Sequence, residues 1–304
     1  MAKRLIAEEM YPAGVRDVRV RYVRTRSGLR VRLIESGDPA GTPVLLIHGW
    51  ACTVHVFRRN IPALAAAGLR VLAMDLKGHG LTDRPTSREE YTLDAMTSFV
   101  LEVMDALELR RATLVGQSLG GAIALQIALR APERVERLAL IAPVGLGRVP
   151  RARLLRALAT LSLSLGAPRE LRRWMIAVAL DRAFGDLARP TSDDVAEYWA
   201  PSADPHYLKV LLTLVHEVDW APLDASRLSV LRLPLLVIWG TEDRLVVPTH
   251  VRDLPRLIPS ARAVWIAGAG HACNEEAPAE TNGALVAFLA EGRGARGEDN
   301  SGKG

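Results

Sequence analysis

A chain of 304 residues, nearly half of them hydrophobic and a quarter charged, can bury one large core, or one core and a lid, which excludes a disordered or fibrous protein. Its net charge of +5 rests on arginines scattered among carboxylates with no nucleic-acid motif, so a solvated basic surface is expected and a nucleic-acid partner is not. Two cysteines, Cys52 and Cys273, supply no disulfide framework, no Cys/His spacing suits zinc, no apolar run is long enough to span a membrane, and the opening MAKRLIAEEMYPAGV lacks the apolar segment of a secretory leader. Packed, reduced thiols, a cytoplasmic location, no metal and no cofactor are the corresponding expectations.

Taken in chain order, residues 1–15 read as a weakly specified arm. Asp17–Val23 and Leu29–Ser36 alternate apolar and charged residues around Arg26-Ser27-Gly28, the pattern of an antiparallel hairpin at a sheet edge. Buried-strand runs follow at Val44–Ile47, Leu69–Met74, Ala112–Val115, Val135–Ile141, Leu235–Trp239 and Ala263–Ile266, with helices over about Leu93–Leu107 and Leu119–Arg130. This alternation predicts an α/β fold: a mostly parallel, twisted sheet with helices on both faces, formed by residues 16–144 and 224–290. Ligands of such sheets collect at the carboxyl ends of the strands.

About ninety residues separate Val135–Ile141 from the next strand, too many for a loop. Residues 145–223 therefore read as an inserted helical cap, with helices over Arg151–Leu165, Pro168–Leu180, around Asp193–Trp199 behind the capping pair Thr191-Ser192, and over Tyr207–Val218. Arg148–Arg173 carries seven arginines against Glu170, with Leu154, Leu155, Leu158 and Leu161 at helical spacing. A lid helix with its apolar face inward is favoured there over a membrane-surface helix. With the segment's Leu and Val, Trp174, Met175, Phe184 and Trp199 would make the cavity beneath the cap apolar, although for each aromatic taken singly packing inside the cap is the favoured reading. Residues 291–304, glycine-rich and charged, read as a disordered tail.

The chemistry concentrates on Ser118. In Gly116-Gln117-Ser118-Leu119-Gly120 it stands between a strand and a helix, on a turn whose flanking glycines let the backbone reverse sharply. The unreactive alternative is a serine that caps its helix. A nucleophilic serine needs a base, and the base an orienting carboxylate. His271 lies in the small-residue loop Ala-Gly-Ala-Gly-His after one strand, and Asp243 in Gly-Thr-Glu-Asp after another. Glu242 and Asp75 compete for the acid role, but Asp75 more naturally ties together the turn DLKGHG. Among the other histidines, His48 would brace its loop, His79 lies in a turn, and His55, His206, His216 and His250 follow no such loop. The main-chain N–H groups of Trp50, after His48-Gly49, and of Leu119 are the candidate oxyanion donors.

From Leu29 to Leu289 the chain resembles the α/β-hydrolases. The stretch HGWACTVHVFRRNIPALAAAGLRVLAMDLKGHGLTDRP is similar to the family's oxyanion loop and the turn after the next strand, GQSLGG to its nucleophile elbow, WGTEDRLVVP to its acid loop and GAGHACNEEAPAE to its histidine loop. The resemblance implies Ser118 as nucleophile, Asp243 as acid and His271 as base, the roles already read from the residues. Relatives that displace carbon from an epoxide or a haloalkane carry aspartate at the elbow, so serine argues against both activities. Hydrolysis of a small, apolar carboxylic ester through an acyl-enzyme is the leading expectation. The alternatives are carbon–carbon bond hydrolysis of a meta-cleavage product, perhydrolase or haloperoxidase-like chemistry, and a ligand receptor built on a hydrolase frame.

Overall fold

The computed structural model describes residues 6–150, 157, 160, 169–249 and 251–291. In chain order these form β1 (Val18–Arg24), β2 (Arg30–Gly37), β3 (Thr42–Ile47), α1 (Ile61–Ala66), β4 (Leu69–Met74), α2 (Leu93–Ala106), β5 (Ala112–Gln117), α3 (Leu119–Arg130) and β6 (Val135–Ile141). The two-residue strand β7 (Gly147–Arg148) opens the insertion, which continues with α4 (Arg169–Ala183), α5 (Ser192–Trp199) and α6 (Pro205–Glu217), and α7 (Ala225–Leu228) follows it. The chain then returns through β8 (Leu235–Gly240), β9 (Val247–Pro248), α8 (Leu254–Leu257), β10 (Ala261–Ile266), α9 (Cys273–Glu276) and α10 (Pro278–Ala290).

Eight of the strands make one sheet in the order β1-β2-β4-β3-β5-β6-β8-β10. β1 and β2 pair antiparallel at the edge, as do β2 and β4, and every later pair is parallel. The central strands read as unbroken apolar runs because successive side chains enter different cores. Leu45, Ile47, Leu72, Leu114, Leu138 and Val237 pack with α2 and α3 on one face. Val44, Leu46, Val71, Val115, Ala139 and Ile238 pack with α1 and α10 on the other.

The mostly parallel sheet and its flanking helices agree with the sequence reading, strand for strand. Five helices had no counterpart in it: α1, a short segment with Pro62 in its first turn, the four-residue helices α7, α8 and α9, and α10. The N-terminal residues are also better anchored than their sequence suggests, since Met10 and Tyr11 are buried. The cause lies elsewhere in the chain. Arg32 is almost completely buried on β2 and needs acceptors, which it finds in the Tyr11 carbonyl and, at 3.1 Å, in Asp75.

In the insertion, α4, α5 and α6 correspond to the last three expected helices, and Thr191 caps α5 through its hydroxyl as its position in the sequence suggests. Of the helix expected over Arg151–Leu165 only Ala157 and Thr160 are among the described residues, both helical, and the tail beyond Glu291 lies outside them. One expectation fails. Trp174 is 62% exposed and points to solvent, so it lines no apolar cavity, whereas Phe184 and Trp199 are buried.

Candidate active site

Ser118 occupies the junction of β5 and α3 with φ 52° and ψ −116°, a conformation that L-residues adopt only under constraint. The constraints are visible. Its N–H donates to Ile141 O at 2.9 Å, and its carbonyl accepts from Gly121, Ala122 and Val144 N–H at 3.0–3.2 Å. A Cβ on Gly120 would stand 2.0 Å from the Ile47 carbonyl, so only glycine lets α3 approach β3 this closely. The Ser118 side chain forms no capping bond, which removes the helix-cap alternative.

The loop after β3 abuts this turn. A Cβ on Gly49 would meet Gln117 Oε1 at 2.4 Å and Ser118 Cβ at 2.9 Å, so the main chain of the His48-Gly49-Trp50 loop passes directly beside the serine. Among the described residues, the N–H groups of Trp50 and Leu119 have no acceptor. Leu119 is the first residue of α3, where backbone N–H groups have no intrahelical partner and the helix dipole is positive. The Trp50 indole is used elsewhere, donating to Leu211 O on α6 at 2.9 Å.

At the ends of β8 and β10, Asp243 and His271 meet. The Nδ1 of His271 lies 2.8 Å from Asp243 Oδ2, and both side chains are buried. The same Oδ2 accepts the Trp239 indole N–H at 2.9 Å, while Oδ1 accepts the N–H groups of Leu245 and Val246, each at 2.9 Å. Four donors converge on one carboxylate, so Asp243 acts as an acceptor and the proton belongs on Nδ1, leaving the Nε2 lone pair for another partner. The Ser118 hydroxyl makes no hydrogen bond among the described residues, to His271 or to anything else.

The competing residues are occupied. Asp75 is fully buried and binds Arg32 and the N–H groups of Val54 and Leu81. Although burial pushes its carboxyl up, Arg32 and those bonds outweigh that effect and hold it below the ordinary range. His48 Nε2 accepts from Leu76 N–H at 3.0 Å, which fixes a neutral ring inside its own loop, and burial lowers its pKa. His79 accepts from Ala51 N–H, and burial lowers it to about 3. Glu242 is half exposed beside Arg244, His206 is exposed, and His250 lies outside the described residues. Both cysteines are free thiols that burial pushes up, away from the thiolate form.

Sequence reasoning missed a second polar cluster, next to the site. His55, Asp194 and Glu275 bring ligand-type atoms within 4.8 Å of one another. Their charge is met from within the chain, because the Arg58 guanidinium lies 2.6 Å from Asp194 and also binds Glu275. Tyr198 OH donates to the other Glu275 oxygen at 2.7 Å. Each of these residues is unremarkable in sequence; only the fold brings α5 against α9. Trp239 was likewise invisible as a donor, since it ends an apolar strand run.

Residues 42–278 match the family model described as the alpha/beta hydrolase fold. The dihydrolipoyllysine-residue acetyltransferase component of an acetoin cleaving system from Pseudomonas putida is 32% identical over 86% of this chain and 67% of its own length. A 2-hydroxymuconate semialdehyde hydrolase from a Pseudomonas species is 32% identical over 87% of this chain and 92% of its own. Among solved structures, an enol-lactonase from Burkholderia xenovorans superposes with a TM-score of 0.73 at 25% identity, over 89% of this chain and all of that one.

Proposed function

Because the chain belongs to the α/β-hydrolase fold family, we propose that it is a serine hydrolase that cleaves a carboxylic ester through an acyl-enzyme. The observation that carries this reading is the 2.8 Å Asp243–His271 pair, together with a strained serine flanked by two backbone N–H groups that lack acceptors among the described residues. His271 Nε2 takes the Ser118 proton as the hydroxyl attacks the ester carbonyl. The amides of Trp50 and Leu119 receive the oxyanion, each contributing about 3 kcal/mol to the barrier reduction. The protonated imidazole, stabilised by Asp243, returns its proton to the departing alcohol. Water then repeats the cycle on the acyl group.

Residues 145–223 serve in this reading as a cap that shapes the substrate pocket. The supporting contacts are those of α6 with the oxyanion loop: Trp50 Nε1 to Leu211 O at 2.9 Å and Tyr207 OH to Ala51 O at 3.4 Å. No described helix is long and apolar enough to cross a membrane, and no step requires a cofactor.

Ser118→Ala should abolish turnover of p-nitrophenyl esters while leaving the circular dichroism spectrum and Tm essentially unchanged. Sustained turnover by the purified variant would overturn the assignment. A second reading, hydrolysis of a carbon–carbon bond in a vinylogous diketone, is favoured by the similarity to a 2-hydroxymuconate semialdehyde hydrolase over almost that protein's full length. Esters of graded acyl length assayed beside a ring-cleavage dienoate separate the two: a kcat/KM for the dienoate well above that for every ester selects carbon–carbon cleavage.

A further inference from the structure

Glu276 has no part in the chemistry above, yet its side chain is almost fully buried five residues after His271. One carboxylate oxygen accepts Gly270 N–H at 2.7 Å, and the other accepts Gly185 N–H at 2.7 Å. Gly270 is the residue immediately before His271. Gly185 belongs to the insertion, just beyond α4 and 91 positions from Glu276 in sequence. A single carboxylate thus holds the loop of the proposed base and the inserted segment at once.

The two segments also touch directly, main chain to main chain. Asp186 N–H donates to Gly268 O at 2.8 Å, and Ala272 N–H donates to Ala183 O at 3.0 Å. A Cβ on Gly185 would fall 2.4 Å from Gly268 O and 2.5 Å from Gly270 N, and one on Gly270 would fall 2.6 Å from Ala183 O. Neither glycine has a positive φ, so close approach and not backbone conformation is what requires them. On its other side Gly270 is pressed against β8, since a Cβ on Gly240 would meet the Gly270 carbonyl at 2.2 Å. The loop that carries the imidazole is therefore wedged between the strand that leads to Asp243 and the inserted segment 183–186.

We propose that Glu276 is a positioning residue that clamps the His271 loop to segment 183–186, so that the insertion as well as the sheet sets where the imidazole stands relative to Ser118. The proposal rests on the reading of His271 as the base. Its physical basis is that a carboxylate offers two acceptor oxygens, whereas an amide offers one and turns a donor toward the second N–H. Breaking either bond frees the loop on one side. Misplacement of a reacting group by about 1 Å is enough to lower rate about a hundredfold.

The test compares Glu276→Gln, Glu276→Asp and Gly185→Ala with the unaltered protein, using p-nitrophenyl ester kinetics and labelling of Ser118 by a fluorophosphonate probe. Glu276→Gln should label to full stoichiometry, but about 10- to 100-fold more slowly, with kcat reduced to match and KM little changed. Glu276→Asp, which keeps both acceptors on a shorter arm, should fall between the two. Gly185→Ala leaves the carboxylate intact and pushes the segments apart, so it should reproduce the slow labelling even if Glu276→Gln fails to fold. A merely structural role would reduce the labelled fraction while the remainder reacts at the unaltered rate; that result, or an unchanged rate in Gly185→Ala and Glu276→Gln, overturns the proposal. Labelling and turnover that persist in Ser118→Ala would instead overturn the serine-hydrolase reading, whatever the Glu276 variants do.

Discussion

Trp239 shows how a residue read as core can be part of a site. Its indole is completely buried at the end of β8, and its N–H shares Asp243 Oδ2 with His271. A hydrogen bond to a charged acceptor contributes about 1.5–3 kcal/mol, and a buried carboxylate oxygen deprived of one has no water to replace it. Trp239→Phe keeps most of the ring volume and removes the donor. The expected outcome is a loss of about 2 kcal/mol in urea denaturation, with a lower kcat and little change in KM because the carboxylate is less firmly oriented. Equal stability and equal kcat would show that the bond does neither. Ser118, Asp243 and His271 were legible because each follows a strand in a glycine-bearing turn, a local signal. The role of Trp239 depends on χ angles four residues away from the acid, and LLVIW reads as buried strand whether or not its indole finds a carboxylate.

At the level of elements, the sheet was readable because two cores share each central strand, which makes those strands continuously apolar. The edge strand β1 alternates apolar and charged residues in sequence, yet Val20 and Tyr22 stay exposed beside its arginines, so there the alternation marks no buried face. Where the sequence fell short, stability comes from tertiary contact and not from local pattern. The six residues of α1 are too few to form a helix alone, and Ile61 and Leu64 hold it by burial in the core against the sheet. Tyr11, in the N-terminal arm, is held by Arg32 and by Glu197, whose carboxylate accepts Tyr11 N–H at 2.6 Å from 186 residues away. The contact of α3 with β3 gives a sharp prediction. The position of Gly120 leaves 2.0 Å to a backbone carbonyl that cannot rotate aside, so Gly120→Ala should shift the helix and cost about 3 kcal/mol, the upper end for overpacking. It should also lower kcat, since the same movement displaces the Leu119 amide. Thermal denaturation and steady-state kinetics check both, and a variant with unchanged Tm would mean that the junction is more compliant than its geometry implies.

Across the whole molecule, a buried polar network joins the arm, the oxyanion-side turn, the insertion and the histidine-side helix α9. His55 Nε2 stands 3.1 Å from Asp194 Oδ1, Arg58 joins Asp194 to Glu275, and Glu197 holds the arm. Burial pushes the Asp194 carboxyl up, but His55, the Thr191 N–H and Arg58 outweigh it and leave it far below the ordinary range. A depressed carboxyl adds stability above its unfolded pKa and loses that contribution as pH falls, so Asp194 supports the network at neutral pH. Glu197 works the other way. Burial raises its pKa against the lowering by His55 and Tyr11 N–H, so its contribution is present below the unfolded pKa and is lost as pH rises through the folded one. The geometry supplies the reason: Glu197 Oε2 and His55 Nδ1 are both buried without a hydrogen-bond partner among the described residues, 4.0 Å apart. Burial of an ionised oxygen that no hydrogen bond offsets is therefore the unfavourable element. Glu197→Gln would keep the oxygen that accepts Tyr11 N–H and remove the buried charge from the oxygen that has no hydrogen bond. The variant should be more stable than the unaltered protein at pH 7.5 by about 1–2 kcal/mol, or about 2–4 °C in Tm, and the advantage should shrink toward pH 5 as Glu197 itself becomes protonated. Denaturation at the two pH values decides the matter: a variant less stable at pH 7.5, or a gain that does not change with pH, would show that ionised Glu197 is not the strained member of this network.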